Sequence, residues 1–210
     1  MRLEEVQQAA VNLFSDKGYA ATGIRELGRE LGLNSATLYH YAGGKEELLV
    51  SIMRTCLEEL LRAATEAADA STEPRIQIAR LIRAHVGVSA FNPKTARVTD
   101  HEIRALSPEN YKSLIAIRDE YESIFARVIE QGSADGQFKL TDLRLARLAI
   151  LEMCNGVANW YQPVGRLTVS DVQNRFVEFG CRIVGVEPVT VQDLGAIQKP
   201  VRLPSEPDAA

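Results

Sequence analysis

The sequence predicts an all-α fold. Apolar residues recur at helical spacing along most of the chain, Pro, Asn, Thr and Gly stand where helices should start and stop, and no strand-like alternation or internal repeat competes with them. Residues 22–49, TGIRELGRELGLNSATLYHYAGGKEELL, are the most informative stretch. Ile24, Leu27 and Leu31 give a first short helix one apolar face, with Thr22 or Gly23 as its cap and Glu26 completing half of a capping box. Gly32 supplies a left-handed stop, Leu33 plugs the turn, and Asn34 caps a second short helix over Ser35–Tyr41. Leu38 and Ala42 face inward on that helix, Gly43-Gly44 ends it, and Lys45 opens a third. Two short helices joined by a tight Gly-containing turn describe a helix-turn-helix, whose second helix lies in the DNA major groove.

The remaining elements follow in order. Residues 45–69 form one long helix with Leu48, Leu49, Ile52, Met53, Cys56, Leu57 and Leu60 on its inner side. Ser71–Pro74 starts the next, with Pro in the first turn, and it runs to about Ala90. Asn92-Pro93 breaks it and begins another, through Leu106. Ser107-Pro108-Glu109 caps a helix to Gln131, which Gly132 stops, and Asp135-Gly136 is a turn. Thr141-Asp142 opens a helix to about Tyr161, ended by Pro163 and Gly165, and Thr168–Ser170 starts the last one, ending near Gly185. Residues 187–210 carry Pro188, Pro200, Pro204 and Pro207 with little periodicity, and predict an extended or disordered tail.

Composition narrows the function. At 210 residues the chain is long enough to bury a real core, and it has no run of eighteen apolar residues and no signal-peptide pattern, so a soluble, cytoplasmic protein with no membrane partner is expected. Cys56, Cys154 and Cys181 are widely spaced and read as reduced, buried small hydrophobes. His40, His85 and His101 have no partners at metal spacing, and no HExxH, GxSxG or P-loop occurs, so no catalytic residue, metal or cofactor is expected. The net charge is −4, and residues 1–45 are neutral: Arg2, Lys17, Arg25, Arg29 and Lys45 balance Glu4, Glu5, Asp16, Glu26 and Glu30. Duplex affinity rests on phosphate neutralisation, so such a segment must act in two copies and lean on hydroxyls, backbone amides and helix dipoles. Weak non-specific binding with shallow salt dependence is the expectation. A helical ligand-binding or interaction protein with a degenerate helix-turn-helix that does not bind DNA is the alternative.

Residues 3–60 resemble the DNA-binding domain of the TetR family of bacterial repressors. The matching pieces are AAVNLFSDKGYAATGIREL, the turn LGLNSATLYHY and the following KEELL. The resemblance implies an all-α, dimeric protein of about nine helices. Residues 1–45 would be a three-helix helix-turn-helix domain, 46–186 a larger ligand-binding and dimerisation domain, and 187–210 the tail. It implies that Ser35, Ala36, Thr37 and Tyr39 meet bases or nearby phosphates of a double-stranded operator, and that Thr22, Tyr41 and Lys45 hold phosphates. His40 lies on the same helix and joins this DNA-contacting set. Two departures stand out: Ala42 where the family usually has Phe, and Gly23 where Ser or Thr is usual. Members often carry a basic arm before the first helix; here the start is truncated or the operator is bound without one.

The effector site is expected on the helices over 85–131. There Phe91, His101, Arg104, Tyr111, Arg118, Tyr121 and Phe125, with Trp160 further on, mix apolar bulk with cations. Arg118 is read either as an anion anchor or as a surface partner of Glu122. The blocks HEIRALSPENYKSLIAIRDEYESIFARVIEQGSADGQF and MCNGVANWYQPVGRLT are similar to family members that sense coenzyme A thioesters of fatty, aromatic or steroid acids. Such an acyl-CoA is therefore the effector class implied. Leu145, Leu148 and Met153, with Val172, Phe176, Phe179 and Ile183, form two apolar stripes that serve either as core or, as the resemblance implies, as a homodimer interface.

Overall fold

The computed structural model describes residues 2–195 and 199–207, apart from the side chains of Ser35 and Tyr41. Among them every regular element is helical. The helices are α1 (Leu3–Lys17), α2 (Ile24–Glu30), α3 (Ser35–Ala42), α4 (Lys45–Asp69), α5 (Pro74–Phe91), α6 (Pro93–Glu102), α7 (Pro108–Ala134), α8 (Leu143–Asn155), α9 (Val157–Trp160) and α10 (Val169–Ile183). One 3-10 turn, Ile103–Ala105, follows α6. Local chemistry sets most of these boundaries. Asn34 Oδ1 accepts from the Thr37 amide at 2.8 Å, Asp142 Oδ1 from the Leu145 amide at 2.9 Å, and Thr168 and Asp171 close a capping box on α10. Gly32, at φ +64°, takes the left-handed conformation that ends α2.

Three helices differ from expectation, the first being α6, which ends at Glu102 and passes into the 3-10 turn short of the expected Leu106. α7 runs through Gly132, the expected stop, to Ala134, and the turn expected at Asp135-Gly136 follows it, with Gly136 at φ +69°. Gly132 serves packing: a Cβ there would stand 2.4 Å from the ring of Phe138, which folds back onto the helix. The helix predicted from Thr141 to Tyr161 is interrupted at Gly156, giving α8 and the single turn α9.

Contacts group the chain otherwise than in simple order at residues 45 and 186. One compact unit holds Met1–Glu58, Asn92–Ala116 and Arg202–Ala210; the other holds Glu59–Phe91 and Ile117–Val201. In the first unit α1 packs on α2, α3 and α6, and Val6, Ala10, Phe14, Leu27, Leu38, Leu49 and Ile52 are buried. The core of the second is built on α5, against which α8, α9 and α10 pack, with Ile78, Ile82, Val86, Phe125, Ile150 and Val177 in its interior. Gly180 lets α10 meet α5: a Cβ there would fall 2.1 Å from Ile82 Cδ1. This close approach is made within one chain.

The segment predicted as an extended or disordered tail contains turns and buried side chains among its described residues. Val189 and Leu194 are buried in the second unit. In the first unit the Leu203 amide donates to Asn92 Oδ1 at 2.7 Å. The Glu206 carboxylate accepts from the Thr95 amide at 2.8 Å and the Lys94 amide at 3.3 Å, capping α6. Gln8 Nε2 of α1 donates to the Pro204 carbonyl at 3.0 Å. Prolines forbid a helix here, but they leave the chain free to supply caps and acceptors.

Candidate nucleic-acid interface

The helix-turn-helix is assembled from α2, the turn at Leu31–Asn34, and α3. Leu27 and Leu38 are fully buried, and they fix the two helices against α1. Fixing that face leaves the other face of α3 in solvent. Ala36 and His40 are exposed, Tyr39 is 51% exposed, and Thr37 is half-buried with its hydroxyl bonded to Asn34 Oδ1 at 3.0 Å. Four of the residues expected to meet DNA thus share one surface at the capped end and outer side of a helix. Ala42, in the position of the missing Phe, is half-buried. The side chains of Ser35 and Tyr41 lie outside the described residues.

Two expected phosphate contacts look different in the fold. Thr22 is 1% exposed, and its hydroxyl donates to the Gly18 carbonyl at 2.9 Å. Its role is to close the loop between α1 and α2, and that hydroxyl is not presented to a phosphate. Lys45 is half-buried, with Nζ 3.9 Å from the centroid of the Tyr19 ring. Burial holds its pKa below the ordinary lysine value, and Glu102 opposes that shift. Around it, the Glu46 carboxylate accepts from the Ser107 amide at 2.8 Å and Asn110 Nδ2 at 2.7 Å, tying the start of α4 to the start of α7.

The comparisons with known proteins agree with this geometry. Residues 7–52 match the model of the bacterial regulatory proteins of the tetR family, and residues 71–184 match that of the tetracyclin repressor-like C-terminal domain. The chain belongs to the TetR family. It is 25% identical over 178 residues to the HTH-type transcriptional repressor KstR2 of Rhodococcus jostii, covering 84% of this chain and 87% of that one. A tetR-family regulatory protein from Rhodococcus RHA1 superposes with a TM-score of 0.81 at 30% identity, over 89% of this chain and 98% of that one. AibR, solved in complex with isovaleryl coenzyme A and operator DNA, superposes with a TM-score of 0.75 at 22% identity, over 85% and 97%.

The eight residues expected to line an effector site are divided between the two units. His101, Arg104 and Tyr111 are exposed residues of the first unit. Phe91 is 38% exposed at the end of α5, where Asn92-Pro93 begins α6 and the first unit. Tyr121 and Phe125 are core: their rings pack edge-on at 5.5 Å, and the Tyr121 hydroxyl lies 2.7 Å from Nδ1 of buried His85. Arg118 pairs with Glu122 at 3.5 Å. Burial, more than the Arg118 charge, holds His85 down to about 4, with a hydrogen bond to Asn155 opposing it.

The second unit does contain a cavity of about 190 Å³, between α4, α5, α10 and Lys199-Pro200. Its lining includes Arg80, Arg83, Ala84, Val88 and Gln173, and none of the eight. The sequence held a signal for it, since Arg80 and Arg83 stand among Ile78, Ala79, Leu81, Ile82 and Ala84. The wall from Lys199-Pro200 had none, because nothing in its local pattern says that Gly87 gives Pro200 a seat. A Cβ on Gly87 would approach Pro200 Cγ to 2.7 Å.

The stripes expected to dimerise divide by exposure. Val172 and Phe176 are buried in the core of their own chain and cannot form the main contact. Leu145 (63% exposed), Leu148 (39%) and Phe179 (48%) are open, and Met153 and Ile183 are half-buried beside them. Trp160, 49% exposed, has its ring 6.0 Å from Phe176, which lies 6.0 Å from Phe179, so an aromatic run joins this open face. Cys56, Cys154 and Cys181 are buried, and burial raises the thiol pKa of the last two.

Proposed function

We propose that this protein is a ligand-responsive transcriptional repressor that binds a palindromic operator as a homodimer in the cytoplasm and is released by a small-molecule effector. The observation that carries the reading is the outer face of α3: Ala36, Thr37, Tyr39 and His40 stand clear of the core on a helix whose amino end is capped and turned outward. Small residues at such an end allow close approach to base edges, and hydroxyls reach phosphates. Leu145, Leu148 and Phe179 support the dimer, because open apolar residues on two neighbouring helices of one chain mark an interface. A two-fold pair presents two recognition helices to half-sites about 34–36 Å apart.

The effector class rests on likeness. KstR2 is named a transcriptional repressor, and AibR binds isovaleryl coenzyme A and operator DNA on the same fold. A coenzyme A thioester of a fatty, aromatic or steroid acid is the corresponding reading here. Such an effector acts only through its differential affinity for the DNA-competent and released states.

Ala36→Glu tests the reading. The position is exposed at the first turn of α3, where a carboxylate suits the helix dipole, so the fold should hold. A negative charge at the groove should abolish the shift of a fragment of the protein's own promoter region. A variant that shifts the fragment as well as the parent overturns the reading in favour of a helix-turn-helix that does not bind DNA.

A further inference from the structure

The cavity between α4, α5 and α10 carries an unbalanced charge. Arg83 projects from an otherwise apolar turn of α5 and is 9% exposed. Its Nη1 donates to Asn174 Oδ1 at 2.6 Å, while its buried Nε finds no partner among the described residues. No described carboxylate forms an ion pair with it. The other charges at the cavity are differently placed: Arg62 is held by Glu59 and Glu66 at 2.7 Å each, and Arg80 spends its donors on the carbonyls of Ala67 and Leu194. Lys199, at the mouth, is exposed. Burial without a counter-charge holds the Arg83 pKa below its ordinary value. A buried guanidinium left in this condition costs free energy that a bound anion would recover.

We propose that this cavity is an anion-binding site for a small carboxylate with an apolar body, its acid group on the Arg83 guanidinium and its hydrocarbon against Ala67, Ala84, Val88 and Pro200. The volume sets the size. A cavity of roughly 150 Å³ takes a benzene ring, so about 190 Å³ takes an aryl or medium-chain acid whole. Coenzyme A would fill only the mouth with one end. The shared chemistry, an oxyanion against a guanidinium, is also that of the coenzyme's phosphates, and the two sources are separable by experiment. Arg's planar fork matches carboxylate oxygens in pairs, which lysine does not. The inference rests on the reading of this protein as effector-controlled and makes the free acid, whose carboxylate a coenzyme A thioester lacks, the molecule held here.

Calorimetric titration of the full chain, without DNA, tests it with four probes: benzoate, octanoate, coenzyme A and octanoyl coenzyme A. Benzoate or octanoate should bind, and Arg83→Met should weaken that binding at least tenfold. The same variant should melt at or above the parent's temperature, because it removes an uncompensated buried charge; a structural arginine would show a loss. Asn174→Ala, which removes only the neutral partner, should bind the acids as the parent does. Absence of carboxylate binding at millimolar concentration, binding that ignores Arg83→Met, or binding of coenzyme A but of no free acid each overturns the assignment. Loss of promoter binding on adding the acid is read separately: an acid that binds through Arg83 yet releases no DNA keeps the site and removes its role as effector site.

Discussion

The salt dependence of DNA binding can be worked from the side chains of the first unit. Of the five cations in residues 1–45, Lys17 is held by Glu26 at 2.5 Å and Arg2 by Glu4 and Glu5. Lys45 is half-buried over the Tyr19 ring. Only Arg25 and Arg29, both on α2, are exposed and free of a described carboxylate. Counting these two and Lys45 gives at most three phosphate contacts per chain and six per dimer. Each neutralised phosphate contributes about −0.9 to the slope of log K against log salt, so the dimer should show a slope no steeper than about −5. Affinity should fall by roughly 10³ between 50 and 200 mM salt. Arg25→Ala with Arg29→Ala removes four charges from the dimer and should flatten the slope to about −2. Both side chains are exposed, so the melting temperature should hold. Fluorescence anisotropy of a labelled promoter fragment across a salt series reads both numbers. A slope steeper than about −8, or a double variant with the parent's slope, would refute the inventory and place the phosphate contacts elsewhere on the chain.

Three further outcomes follow from the fold. His85 has a folded pKa of about 4 against 6.5 unfolded, so the unfolded chain binds the extra proton between these values. Stability from this group is complete above pH 6.5 and is lost as the pH falls towards 4, by about 3 kcal/mol at most; urea titrations should show this slope, and His85→Gln should flatten it. Leu145→Asp with Leu148→Asp puts charge on an open face, and light scattering should report 23.2 kDa where the parent gives twice that; a parent that already scatters as one chain removes the dimer. Glu206→Ala uncaps α6 and should cost about 1 kcal/mol, with faster hydrogen exchange at the amides of Lys94 and Thr95; unchanged exchange there would mean the cap does not persist in solution.

What the sequence made legible was whatever depends on neighbours along the chain. Asn34, Asp142 and Thr168 cap the helices that their positions announce, because the cap hydrogen bond spans three residues and needs nothing else. The helix-turn-helix is legible for the same reason, being a compact local motif. The cavity of the second unit was not. Periodicity marks an apolar face without saying which partner covers it, so Tyr121 and Phe125 looked like pocket walls and are core. Val172 and Phe176 fitted core and interface alike for that reason too. Arg83 was visible as a cation in an apolar run, but only packing shows that no described carboxylate pairs with it. The reach of residues 202–207 back to Asn92 and Thr95 spans more than a hundred positions, and nothing in a proline-rich stretch encodes that distance.

As proposed, two copies of α3 enter successive turns of one duplex face. Hydroxyl-radical footprinting of the promoter region measures this directly. Two protected patches centred about one helical turn apart, 10–10.5 base pairs, or a whole multiple of it, both lost with Ala36→Glu, are the predicted result. A single patch, or protection that survives that substitution, would contradict it.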